Sequence, residues 1–513
     1  MSKSLEVEIM GTTEIIKPSS PTPDHLRNFN LSLLDQIVPV EYTAVVLFYT
    51  GNGDANAAKK SQRLKTSLSQ TLSSFYPYAG IIKDHKLVEC NDNGVVYIEA
   101  YANCYLSDIL HQPDQKLLRK FLPIEIESPK AGTGPLLLVQ ATFFKCGGVA
   151  LGYCLSHKIG DGNTTGMFIT SWAANSLGSN KAVIPKFIAT SGLFPPDDSL
   201  APYMDVIGSN YVTKRFALYE SKIAVLRAKA SSANVPKPTR VESVTALIWK
   251  CVTTAARSNR GFPRVSSTVH SMNLRKMVVP PLPDYAAGNI IGDFPAETKE
   301  KKLDLPDLVS KLRKGKEEFC KNGLKILLTN KSLTKPEELC NAVENEDIDF
   351  YMFSDLSRFQ VYESDYGWGT PIWVSIPNYM HNLVMFVSTR DGLGLEAFVT
   401  LCEEDMALFE RDPELLAFAD FNPSVLEAPS HLGLVSRASL LGTGQPAWFT
   451  PADWGFAAAF RLSDGFERQE DFHDLFGRNG GVDLGSQCQL CRCGTLVLFS
   501  VAIDLRRYGT ATD

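Results

Sequence analysis

The sequence lacks several features that would assign it to whole classes of protein. No apolar run approaches the roughly 18 residues of a membrane span, and no basic segment followed by an apolar one marks a signal peptide. Basic residues are not in excess, because 51 Lys and Arg stand against 57 Asp and Glu, for a net charge of -6. This balance gives no indication of a nucleic-acid or membrane partner.

Histidine is scarce, with 8 in 513 residues, and the cysteines show no paired spacing over most of the chain. Those from Cys90 to Cys402 stand singly among apolar or helical residues, as buried thiols do, and they indicate a reducing compartment. We therefore expect a cytoplasmic protein. The cluster from Cys488 to Cys493 has no second pair at zinc spacing, and His473 is isolated, so no metal site is predicted.

The length and the element pattern predict an α/β protein of more than one domain. The composition, 44% hydrophobic and 21% charged, is that of a globular protein, and 513 residues suggest two or three domains. Strands and helices alternate up to about residue 425, which favours α/β layers. Two early runs, Lys86 to Cys90 and Val95 to Glu99, are typical of the strands of a hairpin.

A segment rich in Pro, Ser, Asp and Gly runs from Pro185 to Val212 without sustained periodicity. Such a segment predicts a long surface crossover between two domains. We therefore place an N-terminal domain at residues 1–190, a crossover at 191–214, a C-terminal domain at 215–425 and an extension at 426–513.

One stretch, Leu155-Ser156-His157-Lys158-Ile159-Gly160-Asp161-Gly162, places an imidazole and a carboxylate four residues apart. It follows the apolar run from Val149 and precedes a helical run, which predicts a strand end, a turn and a helix start. At such a place a rigid scaffold presents polar groups to a cavity. A histidine at a strand end is more often structural than catalytic, so the stretch alone leaves both interpretations open.

A second stretch, Asp365-Tyr366-Gly367-Trp368-Gly369, has two glycines around a tryptophan. The glycines allow a tight bend with the indole packed beneath it, which by itself is a structural signal.

Together the two stretches, about two hundred residues apart, resemble the plant BAHD acyltransferases, which are marked by HxxxDG and DFGWG. Shorter segments follow in the order of that family, namely Pro18-Ser19-Ser20-Pro21-Thr22-Pro23, Phe75-Tyr76-Pro77-Tyr78-Ala79-Gly80, Cys146-Gly147-Gly148 and Asn273-Leu274-Arg275. The match spans roughly residues 8 to 422, and the ordered set is far more specific than HxxxD alone.

The resemblance implies a BAHD or chloramphenicol-acetyltransferase-like fold, in which each of two domains is a mixed sheet with helices and a channel lies between them. It implies an acyl-CoA co-substrate, acetyl-CoA first of all, a small-molecule acceptor and no permanently bound cofactor. We expect a monomer that acylates a hydroxyl of a specialised metabolite such as an alkaloid or terpenoid. An amine or a sugar hydroxyl is the alternative acceptor.

The resemblance also implies roles for particular residues. His157 is expected to be the general base, since a neutral imidazole is well matched to take a hydroxyl proton near pH 7 and no covalent acyl-enzyme is needed. Asp161 belongs to the same catalytic motif, but the turn between them is expected to point the two side chains apart. In the family this carboxylate pairs with the arginine that corresponds to Arg275, a link that would aim the imidazole.

The remaining site residues are assigned by position. Asp365, Gly367, Trp368 and Gly369 are expected to support the scaffold. Three others, namely Gly288, Asn289 and Ser354, are expected to line the channel near the thioester, where a hydrogen-bond donor would stabilise the developing oxyanion. For each of these three a solvated loop is an equal alternative.

The chain departs from the family pattern in several places. Tyr366 occupies the position of the family's phenylalanine, Ile81 that of an arginine, and Leu356 that of a tryptophan. The change at Leu356 leaves the acyl chain length open. Family members end near Asn422, whereas residues 428–513 contain no motif that we can place. A poorly ordered extension, a fused fragment and read-through of non-coding sequence are the alternatives for this tail.

Two other functions remain open. A serine-type hydrolase needs a nucleophile elbow, and the nearest match, Gly162-Asn163-Thr164-Thr165-Gly166, has threonine at the nucleophile position directly after the histidine motif. A non-catalytic binding protein of the same fold is the other alternative, because sequence does not show that a site is competent.

Overall fold

The computed structural model describes residues 8–51, 56–187, 192–200, 202, 210–323, 348–377 and 380–426. The strands in these ranges are β1 (Ile9–Ile16), β2 (Asn28–Asn30), β3 (Tyr42–Tyr49), β4 (Ile81–Lys83), β5 (Leu87–Glu89), β6 (Val95–Ala102), β7 (Leu137–Phe144), β8 (Val149–Ser156), β9 (Tyr211–Leu218), β10 (Val265–Asn273), β11 (Ile291–Thr298), β12 (Ile348–Asp355), β13 (Trp373–Ser375), β14 (Leu383–Ser388), β15 (Leu395–Cys402) and β16 (Asp420–Phe421).

The helices in the same ranges are α1 (Leu33–Gln36), α2 (Ala57–Ser74), α3 (Leu106–Leu110), α4 (Gln115–Leu118), α5 (Gly162–Ser176), α6 (Glu220–Lys229), α7 (Arg240–Arg260), α8 (Leu305–Glu318), α9 (Glu403–Phe409) and α10 (Pro413–Phe418). None of these helices combines the length and the hydropathy needed to span a membrane. The capping box that opens α7 pairs Thr239 with Glu242, as their spacing predicts.

The N-terminal sheet has six strands in the order β1-β6-β7-β8-β3-β13 and is mixed, because β6 and β7 run parallel while the other neighbours are antiparallel. Central strands β7 and β8 are buried along their whole length, which fits their nearly continuous apolar sequence. Helices α2 and α5 contact each other beside this sheet, and Leu64, Leu68 and Leu72 form the buried stripe of α2. This core holds the strand that leads to the histidine motif.

The last strand of this sheet comes from the other half of the chain. Strand β13 pairs antiparallel with β3, and the side chains of Tyr366 and Trp368 lie in the N-terminal core. The Trp373 ring stacks on Phe48 at 5.4 Å, while its indole N–H donates to Glu396 of β15. The aromatic side chains of the stretch around Gly367 therefore pack in the N-terminal core. The domain boundaries themselves stay a prediction.

The C-terminal sheet has seven strands in the order β11-β10-β12-β14-β15-β9-β16 and is also mixed. Strands β10, β12 and β14 run parallel to one another, and the remaining pairs are antiparallel. Along β12 the buried side chains alternate, so that Tyr351 and Phe353 join the core with helices α6, α7 and α8, whereas Phe350 and Met352 lie in a separate cluster. This architecture confirms the predicted pair of mixed sheets with helices.

A third, smaller core connects the two halves. It packs α1 against the long connection between β10 and β11, through side chains that include Leu34, Ile37, Leu274 and Ile290. Because that connection carries Arg275 and Asn289, this core fixes two polar side chains next to the histidine motif.

Some sequence predictions fail or fall outside the described ranges. The hairpin predicted from Lys86 to Glu99 is wrong, because β5 pairs with β2 and β4 whereas β6 pairs with β1 and β7. The extension from residue 427 onward, with its cysteine cluster, lies outside the described residues, as does part of the crossover.

Candidate active site

His157 stands directly after β8, in a single 3₁₀ turn that spans His157–Ile159, and α5 begins at Gly162. This confirms the predicted strand end, turn and helix start. The backbone N–H of His157 donates to the carbonyl of Glu41 at 3.0 Å, which ties the turn to the start of the neighbouring strand. A Cβ on Gly162 would lie 2.5 Å from the Phe359 ring, so the close approach requires glycine here.

Asp161 is the N-cap of α5, and the hydrogen bonds of its carboxylate are made with groups other than the imidazole. Its Oδ1 accepts from the backbone N–H of Thr164 at 2.9 Å and from the Thr164 hydroxyl at 2.8 Å. Its Oδ2 accepts from the backbone N–H of Ile290 at 3.1 Å. The carboxylate therefore joins the helix start to the β10–β11 connection, which belongs to the other half of the molecule.

The same carboxylate forms a bidentate ion pair with Arg275. Guanidinium Nη1 lies 2.7 Å from Oδ2 and Nη2 lies 3.1 Å from Oδ1, and both residues are about 1% exposed or less. Burial alone would raise the pKa of Asp161, but Arg275 and the bonds from Thr164 hold it below the usual 3.8. Asp161 is thus ionised and fully hydrogen-bonded, as expected of a residue that holds the turn.

The imidazole of His157 contacts Asn289 at its Nδ1 edge. Nδ1 lies 3.2 Å from the Asn289 Oδ1, while the Asn289 Nδ2 donates to the His157 backbone carbonyl at 2.6 Å. Burial lowers the pKa of His157 below 6.5, and a hydrogen bond to its own backbone, the Asp161 charge and the bond to Asn289 offset this only in part. The ring is therefore neutral near pH 7, as a general base must be.

Two of the residues expected to line the channel lie elsewhere. The lining of the cavity beside His157 includes neither Gly288 nor Asn289. The Gly288 backbone is occupied, because its N–H donates to the Thr164 hydroxyl and its carbonyl accepts from Arg275. The amide hydrogens of Asn289 are also occupied, so this residue has none for an oxyanion. Their polar groups hold the turn in this structure, and contact of either residue with the co-substrate stays a prediction.

The cavity beside His157 has a volume of about 220 Å³ and is lined from both halves of the molecule. Ser354 is a lining residue, and on β12 its side chain lies on the same face as Met352. Leu356 also lines the cavity, where its side chain reaches the start of α5. Three more methionines line the cavity, namely Met272, Met380 and Met385. Such side chains adapt to irregular apolar ligands.

The stretch around Gly367 forms a closed turn outside this cavity. Asp365 Oδ1 accepts from three successive backbone N–H groups, those of Gly367, Trp368 and Gly369, at 2.7, 3.1 and 2.9 Å. Gly367 has φ of +105°, and a Cβ there would collide with the guanidinium of Arg63. These contacts explain why an aspartate and glycines are needed to close this turn.

Tyr366 does more than replace a phenylalanine ring. Its hydroxyl lies 2.7 Å from the Tyr153 hydroxyl and its ring contacts Trp172 edge-on at 5.2 Å. Because Tyr153 lies on β8 and Trp172 on α5, the turn packs against both elements that flank His157.

Sequence reasoning missed a buried pair next to the site. Asp35 in α1 accepts from Asn289, and Lys158 donates its Nζ hydrogens to the carbonyls of Gln36 and Val38, both at 2.8 Å. Burial lowers the pKa of Lys158 to about 7, against the opposing charge of Asp35. The spacing from Ser32 to Asp35 signals only a capping box, and nothing local signals the contact with Asn289.

Comparison with known proteins identifies the family of the chain. Residues 5–416 match the model of the Transferase family. Akuammiline synthase 2 of Alstonia scholaris is 36% identical over 80% of this chain and 96% of its own length. Limonoid 7-O-acetyltransferase of Citrus sinensis is 35% identical over 82% of this chain and all of its own.

Among solved structures, vinorine synthase is similar with a TM-score of 0.73 and 33% identity, covering 82% of this chain and 100% of that one. The family match, the sequence identities and the two-sheet fold all indicate the same family. The chain belongs to the Transferase family, the family of the plant BAHD acyltransferases.

Proposed function

We propose that the chain transfers an acyl group, most simply acetyl, from acyl-CoA to a hydroxyl of a plant specialised metabolite. The observation that carries the proposal is the neutral His157, held at a strand end beside a largely apolar cavity built from both halves. The O-acetylating limonoid relative supports an oxygen acceptor and an acetyl donor. A terpenoid or alkaloid alcohol is the acceptor class we favour.

In the proposed mechanism His157 acts as general base and then as general acid. The acceptor hydroxyl gives its proton to Nε2 while its oxygen attacks the thioester carbonyl carbon. The tetrahedral intermediate then collapses, the C–S bond breaks, and the proton passes from Nε2 to the departing CoA sulfur. Such proton transfer contributes about 10²–10⁴ in rate, and no covalent acyl-enzyme forms.

The other residues have supporting roles in this proposal. Asp161 and Arg275 hold the turn that aims the imidazole, and the turn from Asp365 to Gly369 supports β8 and α5. Ser354 is our candidate for a hydrogen-bond donor to the oxyanion, because its side chain lies on the cavity face of β12.

We further propose a cytoplasmic monomer that binds an acyl-CoA and a small acceptor, with domains near residues 1–190 and 215–425. The cysteines in the described ranges are free thiols, which fits a reducing compartment. An amine or a sugar hydroxyl is the alternative acceptor within the same chemistry.

The test is CoA release from acetyl-CoA, followed with a thiol reagent, with the products identified by mass spectrometry. The panel contains a triterpenoid alcohol, an indole alkaloid alcohol, a primary amine and a sugar. We expect release that depends on an alcohol, together with a product heavier by one acetyl group. A hydrolase would release CoA without an acceptor, and a binding protein would release none, so either result contradicts the proposal.

A further inference from the structure

A buried carboxylate that does not line the cavity contacts Asn289, the residue bonded to the His157 ring. Asp35 is 0% exposed, and each of its oxygens accepts two hydrogen bonds. Oδ2 accepts from the Ser32 backbone N–H at 2.8 Å and the Ser32 hydroxyl at 2.6 Å, and Oδ1 accepts from the Asn289 backbone N–H at 3.1 Å and its Nδ2 at 3.0 Å. Burial raises the pKa of Asp35 above 3.8, but four donors and no acceptor face its oxygens, and these hydrogen bonds favour the carboxylate form.

The contact with Asp35 determines how the Asn289 amide is oriented. Nδ2 carries two hydrogens, and its two acceptors are the Asp35 carboxylate and the His157 backbone carbonyl. If the amide were turned over, its own oxygen would face both of these acceptors. The amide oxygen must therefore point to Nδ1 of the His157 ring, 3.2 Å away.

The orientation of the amide in turn determines the tautomer of His157. An amide oxygen only accepts, so Nδ1 must carry the ring proton, and the lone pair of the neutral ring is then on Nε2. Asn289 occupies the Nδ1 edge from outside the cavity lining. Only Nε2 is left to take a proton from an acceptor.

We propose that Asp35 is a positioning residue which, through Asn289, holds His157 in the Nδ1–H tautomer required of the base. This inference rests on the proposed function of His157. The competing role is purely structural, because Asp35 also completes the capping box of α1 and balances the nearby charge of Lys158. A structural role predicts lower stability of Asp35 variants without a change of tautomer.

The direct test needs no variant. The full-length protein is labelled with ¹⁵N-histidine, and the ring nitrogen shifts of His157 are measured at pH 8, assigned by their loss in His157→Ala. We expect the Nδ1–H tautomer. A resting Nε2–H tautomer would overturn the inference.

The variant test uses Asp35→Asn. A carboxamide has one acceptor oxygen in place of two, so it cannot satisfy the four donors that meet at this position, and Asn289 is released to turn. We expect an increased Nε2–H population and a kcat for CoA release at least about 10-fold lower, with the KM for acetyl-CoA unchanged. An unchanged tautomer with unchanged kcat would overturn the inference.

A double-mutant cycle separates positioning from general destabilisation. If Asp35 acts through Asn289, adding Asp35→Asn to Asn289→Ala should lower kcat by no more than about twofold. Effects that multiply would contradict the inference. The matched control is Asp349→Asn, another buried carboxylate, paired with Arg260 at 2.6 Å, which should lose stability but keep the tautomer and kcat.

Failure of the inference is distinguishable from failure of the proposed function. If Asp35→Asn is neutral while His157→Ala is inactive, only the role of Asp35 falls. If His157→Ala is fully active, the proposed function falls, whatever the tautomer.

Discussion

Replacement of Asp161 by alanine should destabilise the protein by an amount that its contacts allow us to predict. Arg275 would keep only uncharged partners at 0% exposure, namely the carbonyls of Ala286 and Gly288, the Asn273 side chain and the Thr164 hydroxyl. Removing one partner of a buried ion pair costs about 3–5 kcal/mol. The lost N-cap of α5 adds about 1 kcal/mol. We therefore expect the free energy of unfolding to fall by about 4–6 kcal/mol.

Two further variants separate the cap from the ion pair. Asp161→Asn keeps a capping oxygen and loses the charge, so its loss should be smaller by about 1 kcal/mol. The double variant Asp161→Ala with Arg275→Met removes both charges and should lose less than the sum of the single variants, by about 1–3 kcal/mol. Urea unfolding followed by tryptophan fluorescence measures all of these. Additive losses, or a loss below about 2 kcal/mol in Asp161→Ala, would refute the reasoning.

The pKa of Asp161 determines the pH range in which this difference is seen. Since its folded-state pKa is lowered, its contribution to stability is fully present above the unfolded value, near 3.8, and is lost as pH falls through the folded value. The difference between wild type and Asp161→Ala should therefore be constant from about pH 5 to 8 and shrink only in stronger acid.

The remaining predictions concern the supporting turn and the tail. Gly367→Ala should lower stability more than Gly369→Ala. Both glycines have positive φ, at +105° and +100°, but only a Cβ at Gly367 would meet a neighbouring side chain. Urea midpoints compare the two variants, and equal losses of stability would contradict the predicted clash. Tyr366→Phe leaves the Tyr153 hydroxyl buried without its 2.7 Å partner and should cost about 1–3 kcal/mol, whereas adding Tyr153→Phe should restore part of this, as urea unfolding would show. Deletion of residues 428–513 should leave kcat intact, because both sheets and the cavity lie before them; a folded but inactive truncation would contradict this.

Local patterns predicted the elements well where a single segment determines the outcome. The apolar run from Val149 and the motif after it gave β8, the turn and α5, because strand burial and an N-cap are local properties. The pairing of strands was harder to predict. The short run at Trp373 is typical of a strand, but its sequence does not indicate that the strand pairs with β3 of the other half. Strand pairing and register depend on partners that are distant in the chain.

In the site, too, local features could be predicted from the sequence and long-range contacts could not. The positions of His157 at a strand end and of Asp161 before a helix follow from their motif, and the partner Arg275 came from the family resemblance. The hydrogen bond between the Asn289 amide and Asp35, a residue 254 positions earlier in the chain, could not be predicted from the sequence. Contacts of this kind arise only when α1 packs against the β10–β11 connection. The periodicity of the sequence therefore does not predict them.

The central claim is that His157 carries the proton in acyl transfer, and His157→Ala tests it most directly, with His25→Ala, an exposed histidine, as the control. We expect kcat to fall by about 10²–10⁴ with the KM for acetyl-CoA nearly unchanged. In wild type, kcat/KM should rise with pH through the lowered pKa of His157, below 6.5, and then level off, because only the neutral ring accepts a proton. The variant should lose that rise. An unaltered kcat in His157→Ala would remove this residue from the chemistry.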